Sequence, residues 1–306
     1  AAGRGWVDGT RGVGAGVGGG GGPGGRTAAV TVARVRRRGL VRDGGWSRAE
    51  WITQGNNSAG FPQGIAGPAV LDLLRDQAGR DGAGLEKGYI DMLEPGSGGA
   101  FVATWADRRI VACSVILATG VVENKPPIPH LADAVKHGLI RTCPICDGYE
   151  SIDKRIAVIG QGDHAAREAL FLRTYTEKLT LLLVGPQVAL TARIEMALAE
   201  ARIEVRHVGT GSVELQEYGA TAFCAEDGQS HSFDVIYTAF GTTSQTRLAR
   251  LLGADMDESG RLYVSEHQET TVKGLYAAGD LVRGLNQITV ANGEAAIAAT
   301  AAHNGL

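Results

Sequence analysis

Apolar residues along the chain gather in short runs that end at glycine: Ile156-Ala-Val-Ile-Gly160, Val115-Ile-Leu-Ala-Thr-Gly120 and Leu275-Tyr-Ala-Ala-Gly279. Runs of this length without polar alternation predict parallel strands buried on both faces. Alanine-rich stretches between them, Ala165–Tyr175 and Ala189–Ala201, predict helices. Strand followed by helix, repeated, defines an α/β fold. A larger unit also recurs, because a glycine-rich turn opens an alanine-rich helix near Gly20 and again near Gly160. This predicts two Rossmann-like nucleotide-binding units.

The first turn, Gly20-Gly-Gly-Pro-Gly-Gly25, satisfies GxGxxG through Gly20, Gly22 and Gly25. In such a turn the first glycine allows the tight bend, the second lets backbone approach a pyrophosphate, and the third permits close helix packing. Leu40-Val-Arg-Asp43 then predicts a short strand ending in a carboxylate, which can accept from a ribose hydroxyl. Two features fit less well. Val13, Ala15 and Val17 alternate with glycines where a continuous apolar strand belongs, and Arg26 takes a helix position that ordinarily packs inward.

The second turn, Gly160-Gln-Gly-Asp-His-Ala165, is a GxGxxA with a convincing strand before it and a convincing helix after it, so Gly160, Gly162, Asp163, His164 and Ala165 are candidate nucleotide contacts. His164 either touches a cofactor phosphate or is a solvated residue of the first helical turn. The next strand, Leu179–Val184, ends in Gly185-Pro-Gln187. An NAD site places Asp or Glu there and an NADP site places Arg. Neither is present, and Arg193 is the nearest cation.

Composition adds constraints. Of 306 residues 45 are glycine, and 13 of those lie in the first 25 positions, so the excess is local. With 9 prolines and 44% hydrophobic residues, neither collagen nor wholesale disorder fits. Thirty Lys and Arg against 33 Asp and Glu give no basic excess for nucleic acid. The one basic run, Arg34, Arg36, Arg37, Arg38 and Arg42, is expected to be a solvated helix end. No apolar run is long enough to span a bilayer, and no signal-peptide core is evident near Arg4 and Arg11, so a cytoplasmic location is expected.

Of the four cysteines, Cys113 and Cys224 are isolated and no His pair has metal spacing, so no metal site is expected. Cys143-Pro-Ile-Cys146 is a CxxC, whose spacing lets two sulfurs bridge within one turn and favours dithiol redox chemistry. Asp147 adjoins the pair. It is either a proton donor to a leaving thiolate or a turn carboxylate satisfying backbone donors.

Five motifs in one order resemble the low-molecular-weight thioredoxin reductase family of FAD-dependent disulfide reductases: Gly20–Gly25, Ala118-Thr119-Gly120, Cys143–Gly148, Gly160–Ala165, and Ala278-Gly279-Asp280 with Asn286–Gly293. The resemblance runs from about Gly18 to His303 and implies an FAD-binding domain, residues 1–121 and 244–306, with a nucleotide and CxxC domain, residues 122–243, inserted into it. It implies that Asp280 bonds the ribityl chain of FAD, that Gln287, Ile288 and the following residues run along the isoalloxazine ring, and that Asn57 lies near the flavin. It further implies that Cys146 faces the flavin, that Cys143 attacks the substrate disulfide, that thioredoxin or a similar protein is the partner, and that the protein is a homodimer. Typical NADPH-using members carry an Arg-rich segment where this chain has Leu182–Gln187. Pro144, His164 and Asp43–Arg48 look more like an atypical subgroup, some of whose members act on small dithiols or have no established pyridine-nucleotide reductant. Two alternatives therefore stand beside the reductase: a relative with another electron donor or acting as a small-dithiol oxidase, and a flavin-bound redox sensor. The weak first strand also leaves open a chain that binds no FAD.

Overall fold

The computed structural model describes residues 15–16, 20–124, 128, 131–185, 189–216, 219–224 and 228–306. The chain divides into two compact units, one formed by residues up to Ile52, Ala66–Val122 and Thr243–Leu306, the other by Thr53–Ile65 and Glu123–Thr242. The chain passes from one to the other in two short strands, Val121–Glu123 and Thr242–Ser244, which pair.

The second unit is built on a seven-stranded sheet in the order Gln229–Phe233, Gly219–Cys224, Glu204–Gln216, Leu179–Val184, Ile156–Gly160, Val235–Ala239, Ile140–Arg141. The last five of these strands run parallel, and the first two are antiparallel additions at the edge. Alternation of side chains along each central strand feeds two separate cores. Ala157 and Ile159 join Leu182, Val208 and Ile236 on one face, while Ile156 and Val158 join Leu181, Leu172 and Tyr237 on the other. Every residue of Ile156–Gly160 is buried, which explains its unbroken apolar run. The helix Gly162–Leu172 covers the second face through Ala165, Ala166, Ala169 and Leu172.

The first unit has a parallel three-stranded sheet, Ala15–Gly16, Ser114–Leu117 and Leu275–Ala277. The glycine-rich start thus does supply a strand at the expected place, two residues long, with Ala15 opposite Ser114. Residues 1–14 and 17–19, which hold most of the local glycine excess, lie outside the described residues. Small residues on the helices Pro23–Arg34 and Ile288–Asn304 (Ala28, Ala29, Ala295, Ala298, Ala299, Ala302) pack together over Ile116 and Val41.

Two readings need correction. Arg42 does not belong to a solvated helix end: it is buried on the strand Leu40–Asp43, 2.8 Å from Glu86 and stacked over the Trp105 ring. Arg34, Arg36 and Arg38 are exposed, and Arg37 donates to His303. Segment Thr53–Ile65, which sequence order alone puts with the first domain, groups with the second unit, where Asn56 donates to Glu150 at 2.7 Å. No helix among the described residues is long and apolar enough to cross a membrane.

Candidate redox and nucleotide sites

Cys143 and Cys146 are joined in a disulfide at the start of a one-turn helix, Pro144–Asp147. Pro144 stands in the first helical turn, where it needs no backbone donor. Asp147 closes the turn, and its surroundings are unusual for an acidic residue. Tyr237 donates to its Oδ1 at 2.8 Å, and Arg141 donates to its backbone carbonyl at 2.7 Å. Burial pushes the Asp147 carboxyl above its ordinary range, against the opposing influence of Arg141 and the Tyr237 hydrogen bond. A carboxyl raised in this way holds its proton to higher pH than a free one, which suits it to proton exchange with a thiol. Sequence reasoning singled out Asp147 and missed Arg141, Ser151 and Tyr237. Arg141 and Tyr237 stand near it because the strands holding Ile140–Arg141 and Val235–Ala239 pair in register, and Ser151 is brought back by the short helical turn Tyr149–Ser151.

Asn57 donates to the Ile145 carbonyl at 3.4 Å, so its loop lies against the CxxC helix, within the same unit. That loop, Asn56–Pro62, lines an open pocket of about 340 Å³.

In the second unit the turn Gly160–Ala165 sits at the carboxyl end of Ile156–Gly160, between the strands Leu179–Val184 and Val235–Ala239. This is the switch point where α/β sheets bind ligands. A Cβ on Gly160 would collide with the Ala239 carbonyl, so only glycine lets strand and helix close up here. Gly162 opens the helix, and no side chain caps it. Asp163 accepts from the Thr191 amide at 3.0 Å and from its hydroxyl at 2.9 Å, and these bonds hold its carboxyl below the usual range. His164 lies 3.2 Å from Glu168 and is half exposed. Gln187 and its neighbours Pro186 and Val188 lie outside the described residues.

In the first unit Gly20 and Gly22 form the turn ahead of the helix Pro23–Arg34 and Gly25 lies in its first turn, with Gly22 as the N-cap and no side chain capping it. A Cβ on Gly25 would strike the Gly20 carbonyl oxygen. Bare helix amides behind so tight a turn suit a pyrophosphate. Asp43 closes its strand beside this turn and pairs with Arg26 at 3.0 Å, while Gly45 N–H donates to its other oxygen at 2.8 Å. Arg26 does point inward, as a buried cation that also donates to the Leu71 carbonyl. The carbonyl of Ala118 faces Gly20, Thr119 donates to Gln245 O at 2.6 Å, and Gly120 O accepts from Gln245 N–H at 2.9 Å. Asp280 pairs with Arg48 at 2.8 Å. Gly279 N–H donates to the buried carboxylate of Glu294 at 2.8 Å, which also holds Arg283 at 2.6 Å. Gln287 caps, and Ile288 begins, the helix Ile288–Asn304; beside them the Asn286 Oδ1 is buried with no hydrogen-bond partner. An orphaned acceptor, an uncapped helix and a glycine-tight turn are what a bound dinucleotide would satisfy, so these residues fit FAD.

Two βα turns of dinucleotide type together with a CxxC disulfide define an oxidoreductase that couples nucleotide cofactors to dithiol chemistry. The chain belongs to the pyridine nucleotide-disulphide oxidoreductase family, whose model matches residues 20–295, and FAD with a pyridine nucleotide are the cofactors that membership implies. It is 30% identical over 300 residues to an NADPH-dependent thioredoxin reductase 3 of Arabidopsis thaliana, covering 92% of this chain and 56% of that protein. The chain therefore spans little more than half the length of that relative. It is also 30% identical to a thioredoxin reductase of Streptomyces clavuligerus, over 84% of this chain and 83% of the relative. Among solved structures it superposes on the Streptococcus pyogenes thioredoxin reductase with a TM-score of 0.86 at 23% identity, over 97% and 99% of the two chains. The atypical thioredoxin reductase TRi of Desulfovibrio vulgaris Hildenborough is 33% identical, with a TM-score of 0.54 over 96% and 98%.

Proposed function

We propose that the protein is an FAD-dependent disulfide reductase that passes electrons through the Cys143–Cys146 pair to thioredoxin or a similar disulfide. The observation that carries this reading is the CxxC disulfide at a helix start with the half-buried Asp147 beside it, its carboxyl raised above the ordinary range. When bound, FAD would supply the two electrons that open the disulfide. Gly20, Gly22, Gly25 and Asp43 would hold its adenosine and pyrophosphate, with Ala118, Thr119 and Gly120 at the strand end opposite and Gly279, Asp280, Gln287 and Ile288 toward the ribityl and ring. The first unit would thus be the FAD-binding domain and the second the NAD(P)-binding-like domain, with Gly160, Gly162, Asp163, His164 and Ala165 forming the nucleotide turn.

In the dithiol half-reaction the Cys143 thiolate attacks the substrate disulfide, and the departing thiolate takes a proton from Asp147. Cys146 then closes the internal disulfide and releases the second thiolate. Pro144 fixes the turn that keeps the two sulfurs within reach of each other.

The electron donor is the finer question. No arginine stands in Leu182–Gln187, and the Asp163 oxygens bond to Thr191. Those features, with the 33% identity to an atypical reductase, favour a second reading in which NADPH is a poor donor and another reductant, or small-dithiol oxidation, takes its place. A homodimer and a cytoplasmic location accompany either reading.

Cys146→Ser is the direct test. The purified variant is expected to keep bound FAD, seen as yellow colour, while disulfide turnover falls to background. Retained turnover would show that this dithiol is not the redox centre.

A further inference from the structure

Tyr237 brings a phenol hydroxyl into the buried strand Val235–Ala239, next to the buried hydroxyl of Thr238. It is fully buried, with its ring among Val158, Leu172 and Leu181, yet its hydroxyl lies 2.8 Å from Asp147 Oδ1 and 3.1 Å from Ser151 Oγ. Arg141, its register partner on the neighbouring strand, donates from Nη1 to the Asp147 carbonyl at 2.7 Å and to Ser151 Oγ at 3.1 Å.

Donor capacity fixes the direction of this network. A guanidinium only donates. Ser151 accepts from Arg141 and can turn its own proton to the Tyr237 oxygen. Burial raises the phenol above its ordinary range, so Tyr237 stays neutral and has one proton to give. Arg141 Nη1 also donates to the Tyr237 hydroxyl at 3.4 Å, and that hydroxyl lies 3.1 Å from the Asp147 carbonyl and 2.8 Å from Oδ1, its nearest acceptor. The donors therefore run from Arg141, directly and through Ser151, to Tyr237 and on to Asp147 Oδ1. Asp147 Oδ2 is 3.8 Å from Arg141, beyond hydrogen-bond range.

We propose that Tyr237 is a positioning residue: its hydroxyl occupies Asp147 Oδ1 in both charge states, so that the proton exchanged with the thiols is carried on Oδ2. The proposal rests on the reading of Asp147 as the acid of the dithiol. The step balances. Cys143 thiolate forms a mixed disulfide and expels one substrate thiolate, which takes the Oδ2 proton. The Asp147 carboxylate then takes the Cys146 thiol proton, and the new thiolate attacks Cys143 Sγ, expelling the second substrate thiolate. Two electrons pass from dithiol to substrate and Asp147 ends protonated. Facing the carboxyl are Arg141 and Tyr237, which favour its charge, and Glu150, which opposes it. Tyr175 packs on the adjacent Gly148.

The experiment uses the holoenzyme with Tyr237→Phe, Ser151→Ala, Asp147→Asn and Tyr237→Phe/Asp147→Asn. Two readouts are taken across pH: turnover of an aryl disulfide, and iodoacetamide alkylation of the reduced Cys143 and Cys146 followed by mass spectrometry, which needs no flavin. Tyr237→Phe is expected to slow turnover about tenfold, a share of the ~10²-fold that a positioned acid contributes. Losing a donor to the carboxylate should also move the upper pH limb to higher pH. Ser151→Ala, which deletes only the upstream donor, should shift it the same way by less, and serves if the Phe variant folds poorly. In the Asp147→Asn background the Tyr237→Phe change should cost nothing further. A Phe variant that slows Asp147→Asn by the factor seen in wild type, or that leaves the pH limb in place, would overturn the positioning role alone. Asp147→Asn with wild-type turnover would overturn the acid reading and this proposal with it.

Discussion

Asp147 links the chemistry to stability. Burial, the largest influence, raises its carboxyl, and Arg141 and Tyr237 oppose it. A carboxyl with a folded pKa above its unfolded value favours the fold while protonated, and loses that advantage as pH rises through the folded pKa. Asp147→Asn, which never ionises, should therefore raise the melting temperature relative to wild type at neutral and alkaline pH. Below about pH 4, the unfolded value, the difference should vanish. Thermal scans at both ends of that range check the sign. A second residue-scale expectation concerns Glu294, whose carboxylate satisfies the Gly279 amide from inside the core. Glu294→Ala leaves that buried N–H unpaired, at a cost of about 1–3 kcal/mol. Because Gly279 precedes Asp280, the variant should also release FAD more readily on dilution, measured by the recovery of flavin fluorescence.

Elements with both faces buried were the most legible in the sequence. Ile156–Gly160 and Leu179–Val184 are strands where their apolar runs predict them, and their glycine ends mark the turns. Gly160 shows why. A Cβ there would strike the Ala239 carbonyl on the neighbouring strand, so Gly160→Ala should cost about 1–3 kcal/mol through overpacking against backbone that cannot easily move. Chemical denaturation checks this. Helix ends were less legible: the helix predicted to start at Ala165 begins at Gly162, inside the glycine turn itself. Least legible was the support around Asp147. Arg141 lies 6 residues before it and Tyr237 lies 90 residues after it, and only strand register brings them together. Tyr237 reads in the sequence as one more apolar strand position, Arg42 as part of a solvated basic run, and Arg26 as a cation at a helix position that ordinarily packs inward. Their partners Glu86 and Asp43 are set by sheet pairing and helix packing rather than by spacing.

At the scale of the whole molecule, two units each carry their own cores, one pair around the seven-stranded sheet and one pair around the first unit's smaller sheets. Damage to one should therefore leave the other standing. Leu181→Ala, at a fully buried site of the central sheet, should cost about 2–5 kcal/mol in the second unit. FAD retention, which the proposed function assigns to the first unit, should survive at temperatures where the cysteine dithiol has lost its order, and calorimetry beside flavin release would show two separated transitions. The central claim joins the units chemically: electrons that reach the flavin leave through Cys143 and Cys146. Anaerobic titration of the holoenzyme with NADPH and, in parallel, NADH, each followed by alkylation and mass spectrometry, tests it most directly. The account predicts that whichever donor bleaches the visible flavin band also makes both cysteines alkylatable, in step with the bleaching. A fully reduced flavin with the Cys143–Cys146 disulfide intact would contradict it.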